Sequence, residues 1–226
     1  MRIVESAIRN KKNVITTSYI SPELKALEPQ INAAGITVLC EAGLDPGIDH
    51  LYALKLIGEV HGQGGRIRSF TSNCGGLPAP EASDNPLGLK LSWSPRGILL
   101  AALSTARRLV NGCVEEIPGG VQLMDSATPY FILPAFSLLS FPNRDSSIYS
   151  KRYEIEEAHT ISRGSLRYPG CVEVFKAFAA TSLLSQQNVT LLYPSQYPPS
   201  WREVIRQVVS ADSTSEEWVF ALLFLN

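Results

Sequence analysis

Between Ile3 and Ile57 the hydrophobic pattern switches repeatedly between helical and strand spacing, and that switching restricts the fold more than any other feature. Ile3, Val4, Ala7 and Ile8 recur at helical spacing, and the polar run Asn10-Lys11-Lys12-Asn13 closes the helix. Val14-Ile15-Thr16-Thr17 is a β-branched run with the composition of a buried strand. Ser21-Pro22-Glu23 then opens a second helix with a hydroxyl cap, a proline at the first position and an acid facing the positive dipole end. Leu24, Leu27 and Ile31 line one face of it, and Gly35 stands where glycine ends helices. Ile36-Thr37-Val38-Leu39-Cys40 reads as the next strand. After the loop from Glu41 to Gly47, the residues Ile48, Leu51, Leu54 and Ile57 mark a third helix. This order predicts a parallel α/β layer with right-handed crossovers. A parallel sheet needs neighbours on each side. The pattern therefore expects a chain that starts partway through such a layer.

His61-Gly62-Gln63-Gly64-Gly65 reads as a boundary, after which the pattern changes. Arg66 to Ser72 predicts a strand, followed by a long polar loop reaching Gly88. Ser94-Pro95 caps a helix whose inner side carries Ile98, Leu99, Ala102, Leu103, Ala106 and Leu109. Short strands are expected around Cys113–Ile117, Val121–Met124, Phe131–Leu133 and Thr160–Tyr168, which together predict a mixed or antiparallel sheet. From Pro169 the chain turns helical. Val172, Phe175, Phe178 and Ala179 share one face; Trp201, Val204, Ile205 and Val208 share another. An apolar helix after Ser213-Thr214-Ser215-Glu216 runs to Asn226, so both ends are expected to continue into a larger protein. The domains expected are 1–64, 65–168 and 169–226.

Composition narrows the function classes. With 226 residues, 45% of them hydrophobic, the chain has ample material for a packed core. Twenty basic residues against 21 acidic ones leave a formal net charge of -1, which argues against nucleic acid or an anionic membrane as partner. The longest apolar run, from Val219 to Leu225, is too short to span a bilayer, and the N-terminus lacks a secretory cleavage pattern. Cys40, Cys74, Cys113 and Cys171 form no Cys-x-x-Cys and are expected as four buried thiols in a reducing compartment. His50, His61 and His159 are too dispersed for a metal site or a triad. Gly62-x-Gly64-Gly65 has Ile67 where a dinucleotide fingerprint needs its third glycine, and it reads as a turn between domains. The expectation is a cytoplasmic protein without metal.

Two groups of residues remain for chemistry. The loop Glu41-Ala42-Gly43-Leu44-Asp45-Pro46-Gly47-Ile48-Asp49-His50 leaves the carboxyl end of a parallel strand, where open α/β sheets place ligands. Gly43 and Gly47 permit close backbone approach, Pro46 stiffens the turn and Asp45 offers a carboxylate; Asp45 also suits a helix cap. Thr17-Ser18-Tyr19 leaves the preceding strand at the same edge. Arginines occur in the turn Pro142-Asn143-Arg144-Asp145-Ser146 and on the strand Arg163-Gly164-Ser165-Leu166-Arg167-Tyr168. Lining a cleft, they would suit a ligand with several carboxylates; solvated on a surface, they would carry no function.

The run from Lys12 to Pro22 resembles the NADP-dependent, L-glutamate-forming saccharopine dehydrogenase family. So do Gly43 to Tyr52, Cys74-Gly75-Gly76-Leu77-Pro78-Ala79-Pro80, Asp84-Asn85-Pro86-Leu87-Gly88 and the two arginine motifs. The likeness runs in consistent order from Lys12 to Tyr168 and fades past Val172. It implies an α/β fold: an incomplete Rossmann-like nucleotide-binding domain, then an α+β substrate domain with a mixed sheet and a helical tail. It also implies a reaction of lysine biosynthesis by the aminoadipate pathway, in which L-glutamate and aminoadipate semialdehyde condense to an imine that NADPH reduces, reversibly, to saccharopine. By the resemblance, Thr17, Ser18, Leu44, Asp45, Pro46 and Ser94 are cofactor contacts. Ser18, Tyr19, Asp45, Arg144, Ser165, Leu166 and Arg167 are saccharopine contacts. Arginines would clamp acids while Asp45 pairs with a cationic amine; no general acid or base is identified.

The family's glycine-rich phosphate loop is absent from this sequence. Weak NADPH binding and little turnover are therefore expected of the polypeptide alone. A homodimer is among the assemblies open to it. Two other readings stand beside the enzyme. One is a non-catalytic remnant that binds amino-dicarboxylates or a protein partner. The other is a reductase of the same fold that joins an aldehyde to an amine for polyamine synthesis, which the arginine motifs disfavour.

Overall fold

In a computed structural model, which describes residues 2–180, 184 and 199–208, the opening alternation folds as a small α/β layer. Helix α1 (Arg2–Asn10) buries Val4 and Ala7. Strand β1 (Val14–Ile15) pairs in parallel with β2 (Val38–Leu39), in the register Val14 to Val38 and Ile15 to Leu39. Between them Ser21 caps α2 (Pro22–Lys25), its hydroxyl accepting from the Leu24 amide at 3.2 Å. The single helix expected up to Gly35 is interrupted, however, and resumes as α3 (Glu28–Ala34). Pro29 has no amide hydrogen to continue the ladder, and the Gln30 and Ile31 amides both turn to the Leu27 carbonyl at 2.9 Å. Gly35 ends α3 with φ 66°, as its position predicts.

Helix α4 (Ile48–Gly62) forms where expected but presents a different face. Its buried residues are His50, Ala53 and Ile57, whereas Ile48, Leu51 and Leu54 are exposed. Apolar residues occur on every side of α4, so their spacing could not choose the inner one. The β-branched run at β1 is not a buried strand either. Ile15 is 74% exposed, because a two-stranded ladder leaves one side of its pleat uncovered.

The chain divides into two compact units. The first is Met1–Ile67 with Tyr153–Glu157, and the second is Arg68–Arg152 with Ala158–Asn226. Tyr153 and Ile155 are buried, and Glu157 accepts from the Ile67 amide at 3.0 Å, so the segment from 153 to 157 is built into the first unit.

The second unit centres on β8 (Thr160–Arg167), which pairs in parallel with β3 (Ser69–Cys74). It is antiparallel to β4 (Ala106–Val110) and to β7 (Leu138–Pro142). β5 (Cys113–Ile117) extends the sheet beyond β4, and β6 (Thr128–Tyr130) extends it beyond β7. The sheet is mixed, as expected, but several elements differ from their sequence pattern. Helix α5 (Pro95–Ala101) stops well before Leu109, and Ala106 to Leu109 belong to β4. Asn111 and Gly112, with φ 50° and 82°, make the turn of the β4–β5 hairpin, which the apolar spacing had masked. Val121–Met124 lies in a helix, α6 (Val121–Asp125), and Phe131–Leu133 follows β6 as a connection. Short apolar runs like these fit either period.

Helices α7 (Tyr149–Arg152), α8 (Pro169–Ala180) and α9 (Trp201–Val208) belong to the same unit. Phe175, Leu123, Met124, Phe141 and Cys171 form its core where α6 and α8 meet the sheet. Cys171 alone is a buried thiol; Cys40 and Cys74 are half-buried and Cys113 is exposed, against the expectation of four buried ones. The closing apolar helix expected after Glu216, and the side chains of Trp201, Ile205 and Val208, lie outside the described residues.

Candidate functional site

The first unit brings its six site candidates, Thr17, Ser18, Tyr19, Leu44, Asp45 and Pro46, to the loops at the carboxyl ends of β1 and β2. The chain leaves β1 through Thr16, whose amide still donates to the Leu39 carbonyl at 2.9 Å, and passes into exposed Thr17 and Ser18. Beyond β2 the Glu41 amide donates to the Ser18 carbonyl and the Ala42 amide to the Thr16 carbonyl, both at 3.1 Å. These bonds hold the two loops side by side. Across them the Tyr19 hydroxyl donates to Asp45 Oδ1 at 2.9 Å. Thr17 packs against Gly43, where an added Cβ would stand 3.3 Å from the threonine side chain.

The Asp45 loop closes on itself. Gly43 and Gly47 form a parallel bridge, and the Gly43 amide donates to the Pro46 carbonyl at 3.0 Å. A Cβ at Gly47 would fall 2.1 Å from the Gly43 oxygen, so this position requires glycine on space as well as on its φ of 150°. The Asp45–Pro46 peptide is cis. Asp45 does not cap α4; Asp49 Oδ1 accepts from the Gly47 amide at 2.7 Å instead, which leaves the Asp45 carboxylate on Tyr19. Leu44 is 68% exposed and Pro46 is buried.

In the second unit the alternation of β8 sorts its candidates. Ser165 and Arg167 share one face, and Leu166 points to the other, where it packs with Leu138 and Tyr168. The Leu166 carbonyl accepts from Arg167 Nη1 at 2.7 Å. The Arg167 Nε is buried and has no partner among the described residues. Burial pushes this guanidinium below its ordinary pKa, while the nearby Cys171 and Cys74 thiols pull the other way. Burial also lifts Cys171 to about 11, so the thiol stays protonated and offers Arg167 no counter-charge near neutral pH.

Arg144 is exposed, with φ 52°, and its carbonyl accepts from the Arg107 amide at 2.8 Å. The neighbouring Asn143 amide meets the Arg163 carbonyl. Arg163 and Arg167 are four residues apart on β8, roughly 13 Å of strand, and Arg144 follows Asn143 beyond the Arg163 end of that span. Arg163 itself is 8% exposed, stacked 4.8 Å from the Tyr149 ring centre and bonded to its hydroxyl, a structural role. Ser94 caps α5, accepting from the Gly97 amide at 3.1 Å.

Sequence reasoning passed over the thiols beside Arg167 and a buried cluster around His50. The Asp49-His50 pair that closes the loop motif was the only local signal for that cluster. Among the described residues no group of three or more His, Cys, Asp and Glu is disposed to hold a metal, and no helix is long and apolar enough to cross a membrane.

Residues 43–220 match the saccharopine dehydrogenase C-terminal domain family. The chain belongs to that family. It is 50% identical over 219 residues to saccharopine dehydrogenase [NADP(+), L-glutamate-forming] of Saccharomyces cerevisiae, covering 97% of this chain and 48% of that protein. It is 44% identical to the mitochondrial alpha-aminoadipic semialdehyde synthase of Bos taurus, covering 95% of this chain and 23% of that protein. The solved structure of apo histidine-tagged saccharopine dehydrogenase (L-Glu forming) from Saccharomyces cerevisiae superposes with a TM-score of 0.79 at 49% identity, over 98% of this chain and 49% of that one. The chain thus spans about half the length of the fungal relative it matches, and its α/β fold is that of the saccharopine dehydrogenase family.

Proposed function

We propose that the protein carrying this chain is an NADP-dependent saccharopine dehydrogenase of the L-glutamate-forming kind, and that this chain supplies its hold on the substrate. The observation that supports the reading best is Arg167: a desolvated guanidinium with a buried, unmet donor and a neutral thiol for neighbour. Such a group is costly unless an anion completes it. A ligand carboxylate would supply both the charge and the missing acceptor. Arg144, beyond the Arg163 end of β8, suits a second carboxylate at another end of an extended ligand. Saccharopine carries three.

Asp45, held by the Tyr19 hydroxyl, would pair with the substrate's cationic amine. NADPH, when bound, supplies the hydride that reduces the imine of L-glutamate and aminoadipate semialdehyde. Exposed Leu44 and the rigid Pro46 turn would flank its nicotinamide, and the Thr17 and Ser18 hydroxyls would meet its nucleotide side. Ser165 and the Leu166 main chain would complete the substrate contacts, and Ser94 would stay a helix cap at the nucleotide side. The residues hold and orient; proximity and alignment supply much of the acceleration in such transfers. A cytoplasmic location and a homodimer belong to the same reading, the latter testable by light scattering.

Calorimetric titration of saccharopine into the 226-residue polypeptide tests this. Binding that far exceeds that of a monocarboxylic amino acid supports the reading; no binding by the folded chain overturns it. In parallel, NADPH fluorescence should show weak binding, because no glycine-rich loop is present in this sequence to cradle the pyrophosphate. Micromolar affinity would refute that expectation.

A further inference from the structure

We propose that His50 is a positioning residue for the Asp45 loop, acting through Glu41; the proposal rests on the reading of Asp45 as a ligand contact. Glu41 begins the loop with φ 56°, a region unfavourable to a residue with a Cβ and kept only where the surroundings hold it. His50 ends the loop, on the first turn of α4, and is 7% exposed. One imidazole spans the two. Its Nε2 lies 3.6 Å from Glu41 Oε2, and its Nδ1 lies 2.5 Å from the Tyr153 hydroxyl and 3.7 Å from Asp49 Oδ2.

Each partner passes the constraint on. Glu41 Oε1 accepts from the Ile20 amide at 3.5 Å, which ties in the loop that carries Ser18 and Tyr19. Asp49 Oδ1 accepts from the Gly47 amide, at the far side of the Asp45 turn. Tyr153 stands on the segment from 153 to 157, which is fixed in the first unit by buried Ile155 and by Glu157 on the Ile67 amide and His61. The ring is thus anchored on one side by its hydrogen bond to Tyr153 and on the other lies against the two carboxylates, at 3.6 and 3.7 Å, that tie the loops of the Tyr19–Asp45 pair. A side chain kept only for packing would not need two carboxylates around it, and burying such groups costs free energy that an apolar residue avoids. The arrangement fits a part whose task is to fix where Asp45 stands.

Backbone hydrogen exchange by NMR on the 226-residue polypeptide reads this directly. The Ile48 and Asp49 amides, which donate to the Gly43 and Leu44 carbonyls, report the loop; Val14 and Thr16, bonded across β1 and β2, report the rest of the unit. In His50→Ala the loop amides should exchange about tenfold faster while Val14 and Thr16 keep their rates. His50→Gln, which can offer a donor and an acceptor in the same space, should restore them to within about threefold. Saccharopine affinity should fall about tenfold in His50→Ala and recover in His50→Gln at similar melting temperatures. Unchanged loop exchange in His50→Ala, or acceleration shared by Val14 and Thr16, overturns the proposal. Should His50→Ala not fold, Tyr153→Phe removes only the hydroxyl and must still speed the loop amides. If the parent chain binds no saccharopine, the reading of Asp45 as a ligand contact fails, and the exchange rates still decide whether His50 holds the loop.

Discussion

The two units are stabilised in different ways. The second has a mixed sheet with α6 and α8 packed over it, and a core in which Phe175 and Leu123 are almost wholly removed from water. The first has one short parallel ladder, leaves Ile15, Leu39 and Leu51 exposed, and ties its loops with polar contacts around Tyr19, Glu41 and His50. Burial gives a unit bulk stability without saying where any one polar atom must lie. Directional bonds do the reverse. The Asp45 loop is therefore specified by hydrogen bonds, whereas Arg167 takes its place from the strand beneath it.

Substitution in the larger core should have the greatest effect. Phe175→Ala should cost about 3–5 kcal/mol, seen as faster amide exchange in the second unit with β1 and β2 unchanged. Equal loss in both units would show that they do not fold separately. The two β8 arginines sharpen the contrast within one strand. Arg167→Ala should weaken saccharopine binding by about 2 kcal/mol, roughly thirtyfold by calorimetry, with little change in melting temperature. Arg163→Ala should lower the melting temperature, since it strips a buried partner from Tyr149.

Acid should act on the first unit. The Ile67 amide and His61 hold the Glu157 carboxyl at about 2, well below its ordinary 4.5. Because the folded form keeps the charge more readily than the unfolded form, Glu157 stabilises above the ordinary value, and that contribution is withdrawn as pH falls from 4.5 towards 2. Glu157→Gln should flatten this part of the stability profile; an unaltered profile would show that the acid sensitivity arises elsewhere. The smallest effect is expected at Ile15→Thr, within about 0.5 kcal/mol in denaturant unfolding, because that side chain is 74% exposed.

Features with local causes could be read from the sequence. Ser21-Pro22 opens a helix, Gly35 closes one, and Gly43, Pro46 and Gly47 announce a tight loop, each through a restriction on its own backbone. Pro29 and Asn111-Gly112 gave equally local signals, but apolar spacing on either side fitted a longer helix and outweighed them. The faces of α4 could not be read, because its pattern is apolar all round. Long-range placement was the other barrier. Tyr153 reaches His50 across 103 residues, and Cys74 comes beside Arg167 only through the pairing of β3 with β8. Arg144 and Arg167 could be named as a pair, but their separation is a matter of register that spacing in the chain does not encode.

The face-sorting of β8 has a further consequence. Leu166 lies in the apolar cluster with Leu138 and Tyr168, and its carbonyl stands so close to Gly75 that an added Cβ there would be 2.4 Å away. Were β8 to slide by a single position, Leu166 would be turned out and either the Ser165 hydroxyl or the Arg167 guanidinium forced into its place. Misalignment is thereby penalised by the interior, and folding itself checks the height at which Arg167 is delivered.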